Sequence, residues 1–276
     1  MFRARITEDG RELVVLCKVP PVNEVRRQHF GAMIIFEREF EAYSKILPAI
    51  YEFQRERGVT EELGEGFFNA PKCYLAYFEA KKEETAILME DLRLQGYRMW
   101  NKMIPVDYEH VKLLMVQLGR LHAVSFAMKD QRPEMFEPLK VSDPFSVMFD
   151  GNEPVMGMIQ TSLERAVGLL NLEDKLLPKL LAFKSTLFQD LKDLLSVCRY
   201  VSPALDLLHF IFCCTDACLT PMLVSESHEL PDMEQLPERF EETRTMTLEV
   251  KSGETERRYR KRMGEVLRDV AAFGYM

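Results

Sequence analysis

The sequence predicts an α+β fold, with a small β-rich lobe first and a mostly helical lobe after it. Three observations carry the prediction. Short runs of branched apolar residues cluster before residue 92, three- and four-residue apolar periodicity dominates beyond it, and no internal repeat is visible. With 276 residues the chain is one large domain or two small lobes, long enough to bury a core without disulfides or metals. Hydrophobic residues at 47% and charged residues at 29% exclude disorder as the dominant state.

The first predicted strand is Arg11–Val19 (RELVVLCKV), ended by Pro20-Pro21 because proline cannot extend a ladder. An amphipathic helix follows over about Ala32–Leu47, its apolar positions at Met33, Phe36, Phe40, Tyr43 and Leu47, with Pro48 near its expected end. Two strands, Lys72–Phe78 and Thr85–Met89, flank a polar turn at Lys81-Lys82-Glu83-Glu84. Beyond Asp91 the pattern turns helical. Asp107 is placed to cap a helix reaching about Lys129, whose buried stripe is expected at Val111, Leu114, Met115, Leu118, Leu121, His122 and Ser125. Further helices are expected at Ser162–Asn171, Leu172–Ser196 and, started by Ser202-Pro203, Ala204–Cys214; the last is apolar nearly all round and should be buried.

Charge and cysteine usage narrow the function. Lys and Arg number 36 against 44 Asp and Glu, a formal charge of -8 that argues against a nucleic-acid partner. The tail divides into an acidic segment, Glu226–Glu242, and a basic one with Arg257, Arg258, Arg260, Lys261 and Arg262, which attract each other or line solvated helix faces. No run of ~18 uninterrupted apolar residues suggests a membrane span, and the first residues lack a secretory apolar segment. Six scattered cysteines read as buried thiols of a cytoplasmic protein; Cys214 and Cys218 lack the further ligands of a zinc site.

Among residues that carry chemistry, the common hydrolase, zinc-protease and P-loop motifs are absent. His122 and Ser125 share a helix face without an acid to orient the imidazole, so they read as packing residues. Four elements in order are more informative. Lys18 ends an apolar strand, Glu39 sits in the next helix, a later strand runs into Met89-Glu90-Asp91-Leu92, and a long helix carries LGRLHAVSFAMK. Kinase N-lobes handle ATP with this order: a strand lysine on phosphate oxygens, a helix glutamate holding the lysine, and a hinge offering backbone groups to adenine. On spacing alone, Lys18 and Glu39 read first as an ordinary surface ion pair.

The chain resembles the ecdysteroid-kinase-like family, also called CHK-kinase-like, of the aminoglycoside and choline phosphotransferase fold. The matching pieces are KVPP at 18–21, F-x-x-E-x-x-x-Y from Phe36 through Glu39 to Tyr43, ILP at 46–48 and PKCY at 71–74. They continue with ILMEDL at 87–92, Gly96-Tyr97, LGRLHAVSFAMK at 118–129 and CRYVSPALDLLHF at 198–210. The resemblance implies a two-lobed protein-kinase-like fold, with an N-lobe at 1–92 and a helical C-lobe at 93–276. It implies ATP and Mg²⁺ as cofactors, and as acceptor a small hydroxylated molecule such as a steroid. Lys18 matches the family's phosphate lysine, Glu39 its partner, Glu90 and Leu92 the adenine hinge, and Asp206 the acid that braces the catalytic loop.

Three departures from the family pattern qualify the activity. The glycine-containing loop before the lysine strand is expected to be missing, because Met1 falls where the strand before the lysine strand is already under way. The catalytic H-G-D-x-x-x-x-N loop and the D-F-Q-like metal site are absent: no His precedes Gly-Asp, and no Asp has an Asn five residues later. Ser196 runs almost directly into Val197-Cys198-Arg199-Tyr200, as though a block with intact flanks had been lost. Thr215-Asp216-Ala217 likewise jumps to Pro221, where the family carries further helices. The expectation is an incomplete kinase fold, inactive or impaired, with no catalytic or metal residue assigned; the alternative is a non-catalytic protein binding nucleotide or an apolar ligand.

Overall fold

The computed structural model describes residues 1–22, 27, 32–140, 153–169, 175–198, 224–225 and 253–272. It forms two compact units, residues 1–144 and 145–276. The lobe boundary read from the sequence falls earlier, at residue 92, where strands give way to helices; the first unit also includes the long helix beyond that point.

The first unit is built on a four-stranded antiparallel sheet in the order β1-β2-β4-β3. β2 (Arg11–Lys18) is the expected lysine strand. The strand that the resemblance places before it is β1 (Phe2–Glu8), whose charged residues give it no apolar signature of its own. Asp9 and Gly10 close the β1-β2 hairpin, with Glu8 paired to Arg11. Both turn residues have positive φ, 47° and 75°, as a two-residue type I′ turn requires. The segment before the lysine strand is thus a strand and a tight turn.

β3 (Cys73–Glu79) and β4 (Glu84–Glu90) form the second hairpin. Its connection is a 3-10 turn at Ala80–Lys82 with Glu83 in the left-handed region at φ 52°. Residues directly opposite on paired strands share a face. Lys18 lies opposite Ile87 and Leu16 opposite Met89, so these four face the same way. Helix α1 (Ala32–Glu41) packs on that face: Phe40 stacks on Phe78 of β3, ring centroids 5.8 Å apart, and Phe36 is buried.

The helix does not stop at Pro48. A π-turn at Ala42–Ile46 leads into α2 (Leu47–Arg55), and Pro48 occupies its first turn. Proline is tolerated there because the widened turn interrupts the i→i−4 ladder just before it, where its ring and missing N–H would otherwise break the helix. Ile50 and Phe53 of α2, Phe67 of the following loop and Met128 form a core cluster of the first unit. The loop is tied down by buried Gln54. Its Nε2 donates to the carbonyls of Ile50 and Phe67 at 3.2 and 2.9 Å, and its Oε1 accepts the Phe67 N–H at 2.7 Å.

α3 (Tyr108–Gln131) starts at Asp107 as expected; the Asp107 carboxylate accepts the His110 N–H at 2.9 Å. The expected buried stripe is not buried. Val111, Leu114 and Met115 are exposed, as is His122; Leu118, Leu121 and Ser125 are half-buried, and only Met128 is fully covered. The C-terminal half packs on the α2 cluster through Leu121, Val124 and Met128, while no described element covers the N-terminal half. Among the described residues α3 is the one helix long and apolar enough to cross a membrane by length and composition, despite Lys112 and Arg120 within it.

The second unit has α5 (Glu153–Leu169), α6 (Leu177–Cys198) and α7 (Glu254–Ala272); the short α4 (Pro133–Phe136) belongs to the first. α5 packs against both α6 and α7. Among the described residues, Leu163, Leu180, Tyr259, Met263 and Leu267 are its largest fully buried side chains. α6 runs unbroken through the Ser196–Val197 junction. In α7 the bases pair along their own helix, Arg257 to Glu254 at 2.7 Å and Arg260 to Glu256 at 2.6 Å, which makes the basic run a solvated helix face. The predicted helix Ala204–Cys214, the pair Cys214 and Cys218, and the acidic segment from Glu226 onward lie outside the described residues.

Candidate functional site

The site is assembled by β2, α1 and the end of β4. Lys18 is the last residue of β2, and alternation points it to the α1 side of the sheet. There its Nζ forms an ion pair with Glu39 Oε2. The Lys18 ammonium also lies 5.6 Å from the centre of the Phe36 ring, one turn before Glu39. Both charged side chains are only partly covered, 34% and 21% exposed, so a polar ligand can reach the pair.

Three rungs separate Lys18, opposite Ile87, from Glu90, opposite Val15. At about 3.3 Å per residue that places the lysine about 10 Å along the sheet from the hinge. Met89 lies between them on the lysine face and is buried.

The hinge itself is held by its own hydrogen bonds. Glu90 N–H donates to the Lys72 carbonyl at 2.8 Å, and the Glu90 carboxylate accepts from Lys72 N–H at 3.1 Å and from the Gln95 amide. Leu92 opens a 3-10 turn, Leu92–Gln95, and its carbonyl accepts Tyr97 N–H at 3.2 Å. The structure therefore brings Lys18 and Glu39 into contact and sets Glu90 at the end of β4, with Leu92 in the turn after it. Asp206 lies outside the described residues.

Asp91, between the two hinge residues, is the participant that the sequence reading missed. Its side chain is 1% exposed. One oxygen accepts Arg3 Nε at 2.6 Å; the other accepts Arg93 Nε at 2.8 Å and the Arg93 backbone N–H at 3.2 Å. The Arg93 side-chain hydrogen bonds, reinforced by its backbone N–H and by Arg3, overcome the opposing cost of burial and bring its pKa down to about 2. Asp91 thereby ties the first strand to the hinge. The Arg93 half was legible as an Asx turn, in which an aspartate accepts the N–H two residues on; the Arg3 half spans 88 residues and left no local mark.

A cavity of about 410 Å³ adjoins the hinge. It takes Glu90 into its wall but neither Lys18 nor Glu39. Among the described residues no group of three or more His, Cys, Asp and Glu side chains could hold a metal ion.

A strand lysine clasped by a helix glutamate, upstream of an antiparallel hairpin that ends in a hinge, is the layout of a kinase-type small lobe. Comparison with family models gives the family: the ecdysteroid kinase-like family model matches residues 1–197, well over half of the chain, and the chain belongs to that family. The match ends at the junction where the sequence suggested a lost block. No curated protein and no solved structure matched the chain.

Proposed function

We propose that this chain keeps the nucleotide grip of an ATP-dependent small-molecule kinase and is impaired in transfer itself. The observation that carries the reading is the Lys18–Glu39 ion pair on the face of the sheet that leads to the Glu90-Asp91-Leu92 hinge. In this reading Lys18 meets phosphate oxygens, Glu39 fixes the lysine's position, and backbone groups around Glu90 and Leu92 hold adenine. The family's acceptor class, a hydroxylated small molecule such as a steroid, is the proposed substrate class, and the cytoplasm the proposed location.

Transfer is where the chain falls short. Phosphoryl transfer rests on positioning and on metal-assisted neutralisation of charge. The sequence contains neither an H-G-D-x-x-x-x-N loop nor a D-F-Q or D-F-G metal motif. The test pairs binding with turnover. Millimolar ATP is expected to raise the melting temperature by mass action, Lys18→Ala to abolish that shift, and a panel of steroid alcohols to accept no phosphate. Mg²⁺-dependent turnover that Lys18→Ala eliminates would overturn the impairment. Absence of any ATP-induced shift would overturn the retained grip.

A further inference from the structure

The walls of the cavity beside the hinge include neither Lys18 nor Glu39, although Tyr43 in that wall feels the charge of Glu39. Its walls come from the π-turn and α2 on one side and from the Phe68–Cys73 segment on the other. Tyr43, Tyr51 and Phe68 supply aromatic surface, with Tyr51 and Phe68 stacked at 5.5 Å and 26° between ring planes. Pro48 and Pro71 add rigid apolar surface. A volume of this size lies within the range of small-molecule sites.

Two cations line the same space. Arg55 and Lys72 have no carboxylate within ion-pair distance among the described residues. Each instead lies near an aromatic ring, Arg55 at 5.9 Å from the Tyr51 centroid and Lys72 at 5.1 Å from that of Tyr74. The cavity also holds two acids. Glu90 already accepts hydrogen bonds from Lys72 N–H and Gln95. Glu61 is an exposed residue in a 3-10 turn. Burial pushes the hydroxyls of Tyr43 and Tyr51 above the usual phenol range, Tyr43 further through Glu39 and Tyr51 through Glu61. Both phenols therefore stay protonated at neutral pH and able to donate. A cationic ligand would compete with Arg55 for the Tyr51 face and meet the like charge of Lys72. An anionic one meets two exposed cations that no described carboxylate approaches within ion-pair distance, although Arg55 feels the charge of Glu62, and two phenol donors.

We propose that this cavity binds a small anion joined to a flat ring body, the ring lodged among Tyr43, Tyr51 and Phe68 and the anionic group held by Arg55 and Lys72. Tyr43 lies four residues beyond Glu39, and Lys72 exchanges two hydrogen bonds with Glu90. An occupant would thus touch both the π-turn that continues the glutamate's helix and the strand that ends in the hinge.

The test is calorimetric titration of the full chain with naphthalene-2-sulfonate, with the neutral analogue naphthalene-2-methanol, and with inorganic phosphate. One saturable site for the sulfonate is expected, with the alcohol and phosphate each at least tenfold weaker. Arg55→Gln combined with Lys72→Gln should weaken sulfonate binding at least tenfold while leaving the melting temperature near that of the parent. Arg55→Lys with Lys72→Arg, which keeps both charges, should retain most of the affinity and guards against loss by misfolding. Equal affinity for sulfonate and alcohol would overturn the anion assignment. Phosphate binding as tightly as the sulfonate would overturn the aromatic one, and unchanged binding in the double glutamine variant would overturn the site.

Discussion

The two halves of α3 have similar apolar patterns and opposite fates. From Leu121 onward the helix meets α2, and Met128 is 1% exposed; from Val111 to Val116 the same kind of side chain lies open, with Leu114 67% exposed. The difference teaches that periodicity records the face a helix is suited to bury, whereas burial needs a partner surface. Here the partner of the second half is α2, and no described element partners the first.

That contrast can be broken by substitution. Met128→Ala should cost about 2–5 kcal/mol, since it opens a cavity in the only fully covered part of the helix; denaturant unfolding would measure it. A cost below about 1 kcal/mol would mean that the α2–α3 contact holds little of the fold. Next in size are changes at the clasp that keeps the Phe67 loop on α2. Gln54→Ala strands the Phe67 N–H and should cost about 1–3 kcal/mol. Gly66→Ala should cost a similar amount, about 1–3 kcal/mol, because Gly66 has φ 77° and an added Cβ would lie 2.4 Å from Gln54 Oε1. Melting curves of the two variants check both, and a parent-like midpoint would show the loop to be held elsewhere.

A third experiment sharpens the comparison by acid titration of the hinge, which unlike the open half of α3 is held by charge. The Asp91 pKa is lowered on folding, from its ordinary 3.8 to about 2. The unfolded chain therefore binds this proton more readily, and the stability Asp91 confers is complete above the unfolded pKa and lost as pH falls through the folded one. Melting temperature should drop between about pH 4 and 2 in the parent, and this part of the drop should vanish in Asp91→Asn. Identical acid profiles would remove Asp91 as the tie between β1 and the hinge. The smallest effect is expected at Leu114→Ala, within about 0.5 kcal/mol of the parent. Leu113→Ser with Leu114→Ser should leave unfolding unchanged and lower light scattering, because exposed apolar patches promote association. A large loss of stability at Leu114 would show that something covers it.

Much of the small lobe could be read from local pattern. β2, β3 and β4 declared themselves by branched and aromatic residues, and Asp107 by its capping position. Lys18 and Glu39 were legible through their order along the chain. Where reading failed, the deciding partner was distant or the rule had a positional exception. β1 carries charge at Arg3, Arg5 and Glu8, so only its pairing with β2 makes it a strand. Pro48 looked like a stop, yet in the first turn of α2 it is a permitted start. Asp91 depends on Arg3, and the cavity beside the hinge depends on segments that meet only after the loop folds back on α2.

The π-turn at Ala42–Ile46 sets the angular phase between two working faces of one continuous rod. Upstream, Glu39 is aimed at the sheet; downstream, Ile50 and Phe53 are aimed at α3 and the loop. One residue corresponds to about 100° of rotation in a helix. The π-turn absorbs one residue in excess of the regular ladder, so deleting a residue here would restore ordinary helical bonding and leave the glutamate in line with the core, whereas a deletion inside either flanking helix would swing it out by about that angle.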